Sequence, residues 1–590
     1  GFTPFAIFLP QALAGVLSVL LLFHLVRRHF GVVAGLLAAL ALAISPISVV
    51  TNRNNTIDST LVLAMLLGAW AVMRAAETGR LRWLLLCAVF IGLGFNIKML
   101  EAYLVVPAFG LLYLLAAPKR LRTRLWHLGV AVLLMLVISL SWATIVDLTP
   151  ASQRPYVGSS QNNSELSLAI GYNGIQRLEG MFGGKGNAST TGGTAGANGG
   201  TANGGPPSGF TLPEGGPPSG FERPIGSGTG AGGPGGAGPS TGMFNTGNPG
   251  ILRLFTQPLG GQIVWLLPLA LLGMLALAWQ RRPRFRDDRQ QHSLILWGMW
   301  LLTMAIFFSV ASFFHQYYLS TLAPAISALF GIGIVIMWRD YRSAGWRGWL
   351  LPLALLLTAA EQVYIIETDP SWGTWLIPFI AAPCVLAAAA LVGARLLPRM
   401  LPYLNINLRT LAPTLALGVA ALLLTPAVWS AIPAVQNITQ DLPIAGASQQ
   451  GIAGGAGGGQ VSVNTALISY LEAHQGSARY LVAVGSSQEA DSIILATNKP
   501  VMALGGFSGS DPILTTSQLA SLVATGTVRF FLLGGNGGGG GPGGGSQSSL
   551  TSWVTTNCTA VSSSQVQSSS DSSGLSGFAS QLYDCASTTK

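Results

Sequence analysis

Charge is scarce in this chain. Only 9% of its 590 residues are Asp, Glu, Lys or Arg, against about 25% in an ordinary soluble domain. Half of the residues are hydrophobic, and the mean hydropathy is +0.52. That balance excludes a soluble globular domain. Cysteine is rare too, at four. Cys87 and Cys384 fall inside apolar runs, where small-residue packing is the expected role. No Cys/His spacing suits a structural metal site, and no Walker loop is present. A glycine run follows the apolar segment 528–533. It lacks an expected following helix and an acidic residue about 20 positions on, so it does not read as a dinucleotide loop.

What the chain has in abundance is apolar runs. A hydrocarbon core of about 30 Å takes roughly 20 residues of helix. About twelve runs approach that length: 7–26, 31–50, 59–76, 83–97, 102–117, 126–147, 262–280, 293–313, 318–337, 348–366, 373–394 and 410–430. The fourth and fifth are short and read as tilted or partly re-entrant.

The basic residues are one-sided. Alternate loops hold Arg27 and Arg28, then Arg74 to Arg82, Lys119 to Arg124, Arg281 to Arg289, Arg339 to Arg347, and Arg395 to Arg409. They account for 20 of the 31 Lys and Arg, while the intervening short loops hold only Arg53 and Lys98. Positive-inside bias therefore makes the first set cytoplasmic. The net charge of +10 is an orientation signal, and no nucleic-acid partner is read from it. The Arg53 loop, the segment 148–260 and everything beyond about 431 are expected outside, on a plasma membrane. The first span then runs inward, so a preceding helix and first outer loop are expected before Gly1.

The outer gaps carry polar groups that membrane anchoring alone does not require. Ser48 to Thr60 places Arg53, Asn54, Asn55 and Asp58 between two spans. The plainer reading of Asp58 is a helix N-terminus, and that of Arg53 an interfacial anchor. The functional reading gives Arg53 a phosphate to hold by paired hydrogen bonds. Lys98 and Glu101, three apart, either pair with each other or face an anionic head group. Arg154, Tyr156, Asn163, Tyr172 and Asn173 follow the sixth span and suit sugar recognition, although an ordinary surface loop has the same look. His315 and Tyr318 open the ninth span.

Residues 148–260 begin normally. From about 181 to 250 they become rich in Gly, Pro, Ser, Thr and Asn, which reads as disorder. The region 431–590 is different again. Helix-like runs at 464–474, 487–496 and 516–524 alternate with short apolar strands at 480–484, 501–504 and 528–533. This predicts a small α/β domain with a mostly parallel sheet. Gly-rich linkers flank it, and a Ser-rich tail carries Cys558 and Cys585. An oxidising compartment permits a disulfide between these two.

Several motifs together resemble the bacterial members of glycosyltransferase family 39, relatives of the protein O-mannosyltransferases and the lipid A aminoarabinose transferase. They are Pro10-Gln11-Ala12-Leu13-Ala14-Gly15, Arg53-Asn54-Asn55-Thr56-Ile57-Asp58, Phe95-Asn96-Ile97-Lys98-Met99-Leu100, Arg154-Pro155-Tyr156-Val157-Gly158, Gly171-Tyr172-Asn173-Gly174 and His315-Gln316-Tyr317-Tyr318. Gly505-Gly506-Phe507-Ser508-Gly509-Ser510-Asp511-Pro512 matches a subgroup with an outer C-terminal domain. The resemblance implies a GT-C architecture. The division is N-terminal helices (1–147), an outer loop (148–260), C-terminal helices (261–430) and an outer α/β domain (431–590). It also implies a polyprenyl-phosphate sugar donor, typically a mannose-like hexose, and a protein, glycolipid or polymer acceptor at the outer face. A lipid-facing groove is needed for the donor tail. A divalent metal is compatible but not required. The family's acidic base belongs to the first outer loop, which precedes the first span seen here. Asp58 is therefore expected to support catalysis from the pocket edge. Arg53, Lys98 and His315 are expected to bind donor phosphate. Asn54, Asn55, Glu101, Arg154, Tyr156, Asn163, Tyr172, Asn173 and Tyr318 are expected to contact substrate. The alternatives are a multi-span lipid or solute transporter, which should show midplane ionisable groups and internal repeats, and a non-catalytic envelope scaffold.

Overall fold

The computed structural model describes residues 4–150, 153–154, 156–158, 160, 162–170, 246–256, 258–280, 286, 288–311, 314–343, 345–368, 373–400, 408–435, 442–446, 465–506, 509, 511–534, 544–562, 566 and 581–586. Tyr172, Asn173 and the Gly-rich insert lie outside them.

The first half contains α1 (Pro4–Phe30), α2 (Val32–Ala43), α3 (Pro46–Asn52), α4 (Asp58–Thr78), α5 (Leu81–Lys98), α6 (Val106–Ala116), α7 (Leu121–Leu148) and the short α8 (Glu165–Ile170). The second contains α9 (Leu267–Trp279), α10 (Arg289–Val310), α11 (Ala323–Arg342), α12 (Leu350–Glu367), α13 (Ile377–Met400) and α14 (Leu408–Val435). Among the described residues ten helices are long and apolar enough to cross a membrane, and the α2–α3 pair makes eleven. This is a multi-pass membrane protein.

Two departures from straight spans shape the site. The run expected over 31–50 is bent by 62° between α2 and α3. Pro46 starts α3, and Ser45 before it takes an extended ψ of 118°, because a proline ring crowds the helical conformation of its predecessor. The second departure explains why the count falls short of twelve. Residues 81–116 count as one continuous apolar stretch, although its two limbs correspond to the two short runs expected at 83–97 and 102–117. It breaks at Met99, with φ 30° and ψ −129°, and continues through a 3-10 turn, Met99–Val105. A methyl group on Gly79 would meet Pro118 and Lys119, so both ends of the stretch return to one end of the bundle. The stretch is a hairpin, and Lys98 sits at its tip.

The interior is close-packed, with Trp265, Trp297 and Trp300 fully buried. Gly273 of α9 and Gly333 of α11 face each other so closely that a Cβ on either would strike the other's Cα. Small residues of this kind let membrane helices approach.

The C-terminal region has the order α15 (Thr465–His474), β1 (Ala483–Val484), α16 (Ser487–Thr497), β2 (Met502–Ala503), α17 (Thr516–Ala524), β3 (Phe530–Leu533), α18 (Gly544–Asn557), β4 (Thr559–Ala560) and β5 (Gln581–Asp584). Ser486 caps α16, and Thr515 with Gln518 forms a capping box on α17. Successive strand residues point to opposite faces. Val482, Val484 and Phe530 join one apolar cluster, Ala483 and Phe531 another, so helices cover both sides. The strand order is β2-β1-β3-β5-β4. The first three are parallel, but β5 runs antiparallel to both β3 and β4. The Ser-rich tail thus returns into the sheet, and a helix does follow the glycine run after β3.

Cys558 and Cys585 are bonded, 27 residues apart, tying the end of α18 to β5. Closing such a loop stabilises by about 3–4 kcal/mol in the chain-entropy account. Cys558→Ser is expected to lower the unfolding free energy of this region by that amount, read by amide hydrogen exchange in β3 and β5. Unchanged protection would show that the ladder holds the tail unaided.

Candidate active site

The bend at Pro46 and the break at Met99 bring distant polar residues together. Asp58 is the first residue of α4, where no side chain caps the helix. Instead its Oδ1 accepts a hydrogen bond from Lys98 Nζ at 2.6 Å. Lys98 also pairs with Glu101 at 2.9 Å, and its ammonium lies 3.3 Å from the Tyr318 ring centroid and 5.1 Å from that of Tyr317. Asp58 is fully buried, and Glu101 and Tyr318 nearly so. Asp58 Oδ2 is buried with no hydrogen-bond partner among the described residues.

Neighbouring contacts fix this cluster. Phe95 and Tyr103 pack across the Met99 break with centroids 5.1 Å apart. Tyr103 donates to Ser139 of α7 at 2.7 Å, and Thr303 of α10 donates to the Leu104 carbonyl at 3.0 Å. On the far side His315 stacks on Tyr317 at 5.4 Å and meets Tyr318 edge-on at 5.6 Å. Tyr317 and Tyr318 belong to a 3-10 turn, Gln316–Leu322.

Arg53 behaves differently. It ends α3, is exposed, and enters no ion pair among the described residues. Asn55 is exposed beside it and Asn54 half-buried. Lys98 is thus already neutralised by two carboxylates, while Arg53 is available to an incoming anion.

The residues after α7 are occupied with building their own loop. Arg154 donates to the carbonyls of Asp147, Thr149 and Asn163 and lies 3.6 Å from the Asp147 carboxylate. Asn163, with φ 56°, accepts from the Val157 N–H at 2.6 Å. Tyr156 donates to the Ser160 carbonyl at 2.5 Å. Burial, with the Asp511 carboxylate next, holds the Tyr156 phenol above its ordinary range. Asp511 Oδ2 also lies 3.5 Å from where a Gly158 Cβ would stand, so the turn after β2 adjoins this loop.

Three features escaped the sequence reading. Tyr317 shares the Lys98 ammonium with Tyr318. Ser59 and Ser320 have buried hydroxyls with no partner among the described residues. Glu361, alone in the apolar run of α12, has both carboxylate oxygens buried without a hydrogen-bond partner there. A single acidic residue inside a span was the available signal for the last. Among the described residues no three His, Cys, Asp or Glu side chains converge as metal ligands. Asp58 and Glu101 close on Lys98 instead.

Two family models match the chain. One, described as "Dolichyl-phosphate-mannose-protein mannosyltransferase", covers residues 1–142. The other, described as "Putative mannosyltransferase YkcB-like, C-terminal", covers residues 467–557. Two proteins of Bacillus subtilis (strain 168) are similar along their length. "Putative mannosyltransferase YycA" is 40% identical over 97% of this chain and 85% of its own. "Putative mannosyltransferase YkcB" is 39% identical over 97% and 83%. Among solved structures, ArnT from Cupriavidus metallidurans bound to undecaprenyl phosphate is 15% identical, with a TM-score of 0.48 over 99% of this chain and 84% of that one.

Proposed function

Because this chain belongs to the family 39 membrane glycosyltransferases that include YycA and YkcB, we propose that it moves a hexose from a polyprenyl-phosphate carrier to a cell-envelope acceptor, at the extracytoplasmic face. The observation that carries this reading is the buried Asp58–Lys98–Glu101 cluster, with Tyr318 against its ammonium. Buried charge inside a membrane protein is costly and is kept for function. The one-sided distribution of basic loops supports the outward orientation.

The chemistry needs two things of these residues. An acceptor hydroxyl attacks the anomeric carbon, the bond from that carbon to the phosphate oxygen breaks, and polyprenyl phosphate leaves with the negative charge. Arg53 meets that phosphate from the exposed rim. Lys98 stabilises it by exchanging one of its carboxylate partners for a phosphate oxygen. The hydroxyl proton passes to a carboxylate as attack proceeds, and Asp58 orients the acceptor or the group that takes that proton. No nucleotide takes part.

Membranes containing the full-length protein, given radiolabelled polyprenyl-phosphate hexoses and native envelope acceptors, test this directly. Transfer is expected. Its absence from every donor, with the protein folded, would overturn the reading. Arg53→Ala is expected to lower turnover about 10²-fold, the size of effect of removing one charge-stabilising group, with expression and thermal stability unchanged. Full activity in that variant would remove Arg53 from the site.

A further inference from the structure

Beside the charged cluster runs a seam of small polar residues that it does not use. On α1, Gln11, Gly15 and Ser18 share one buried face at helical spacing. Facing them are Ser48, Thr51 and Asn52 of α3, Ser59 of α4 and Ser320 of the 3-10 turn. Together with Ser18 these enclose a partly open cavity of about 20 Å³, room for one water-sized group. A Cβ on Gly15 would run into the Asn52 side chain, so glycine there keeps α1 close to the seam.

The hydroxyls around the cavity fall into two sets. Ser18 donates to the Ala14 carbonyl at 2.7 Å and Thr51 to the Ile47 carbonyl at 2.9 Å, each serving its own helix. Ser59 and Ser320 are 3% and 2% exposed, and both hydroxyls lack a hydrogen-bond partner among the described residues. Buried hydroxyls are normally satisfied, and in a membrane interior an unsatisfied one is costly. Two of them line one cavity, in the residue next to Asp58 and in the turn that carries Tyr318, and both can hydrogen-bond a guest there. No charged side chain lines the cavity, so the occupant is neutral. Val19, Leu42 and Val62 complete the lining, so the two serine hydroxyls are what would select a polar guest, and the volume admits one hydroxyl rather than a whole sugar ring.

We propose that this cavity is a specificity subsite that accepts one hydroxyl of the transferred sugar, held between Ser59 and Ser320, with a water in the same place when no sugar is bound. This rests on the glycosyl-transfer reading above. It goes beyond that reading by assigning sugar selection to residues outside the charged cluster.

The test is a panel of polyprenyl-phosphate hexoses, each lacking one ring hydroxyl, assayed for kcat/KM with the wild type and with Ser59→Ala, Ser320→Ala and the double variant. A site built to hydrogen-bond a hydroxyl rejects the analogue lacking it by at least about 10²-fold. One analogue is expected to show that loss with the wild type. In the double variant the complete sugar should lose at least about tenfold while that analogue stays within about twofold, which narrows the preference. Where an alanine variant does not fold, Ser59→Cys and Ser320→Cys keep the shape and replace a strong hydrogen-bonding group by a weak one. The same narrowing is expected of them. A preference retained in full by the variants would leave only a structural water in the cavity and overturn the subsite, with the transfer reading intact. No transfer of any sugar by the wild type would overturn that reading and the subsite together.

Discussion

Lys98→Met is expected to abolish sugar transfer and to destabilise the protein by about 3–5 kcal/mol, the cost of breaking a buried ion pair by removing one partner. Methionine keeps most of the apolar stem, so packing against Tyr317 and Tyr318 survives. What is lost is the ammonium between Asp58 and Glu101, at 2.6 and 2.9 Å. Two carboxylates then share a site from which water is largely excluded, with no cation between them. Lys98→Arg is not a mild alternative, since the wider planar guanidinium does not fit where a compact ammonium rests 3.3 Å from a ring centroid. Tryptophan fluorescence during thermal unfolding in detergent reads the stability, and transfer from a labelled donor reads the activity. The Lys98→Met/Asp58→Asn double variant separates the two effects. It removes one of the stranded charges, so stability should partly return. Activity should not return if Lys98 is the cation proposed to meet the leaving phosphate. A Lys98→Met protein with wild-type turnover would show that the leaving phosphate is met elsewhere.

The spans and the alternating order of the C-terminal region were legible because the solvent imposes them. A bilayer demands long apolar runs, and a sheet covered on both faces demands short apolar strands. Pro46 announced a bend inside 31–50, but the one-run reading passed over it. Lys98–Glu101 was legible as an i,i+3 pair. Lys98–Asp58 was not, because 40 residues separate them and only the Met99 break points Lys98 back toward α4. Arg154 looked like a ligand-binding residue because side-chain type does not reveal that loop carbonyls will take its donors. The β5 strand was missed for a related reason. A serine-rich stretch reads as linker by composition, while its pairing with β3 and its tie to Cys558 depend on contacts far apart in sequence.

Asp58→Asn is expected to leave stability unchanged or raised and to lower transfer about 10²-fold or more, the range of a lost general-base or orienting contact. The two signs follow from one geometry. With Asp58 the cluster buries two acids and one base, and Asp58 Oδ2 has no hydrogen-bond partner among the described residues. An unsatisfied buried polar atom costs about 1–3 kcal/mol, and an asparagine amide nitrogen in that place costs a similar amount, so the expected gain comes from charge balance alone. Asparagine has nearly the same shape, its carbonyl still accepts from Lys98, and the buried charges then balance as one of each sign. A residue kept only to hold the fold would show the opposite pattern, a loss of stability with activity following the folded fraction. Thermal unfolding and initial-rate transfer on one preparation distinguish the cases. A destabilised Asn variant with normal turnover per folded molecule would make Asp58 a structural partner of Lys98. A stable and inactive one would mean that the carboxylate is held against its own energetic interest, as expected of a group retained for chemistry.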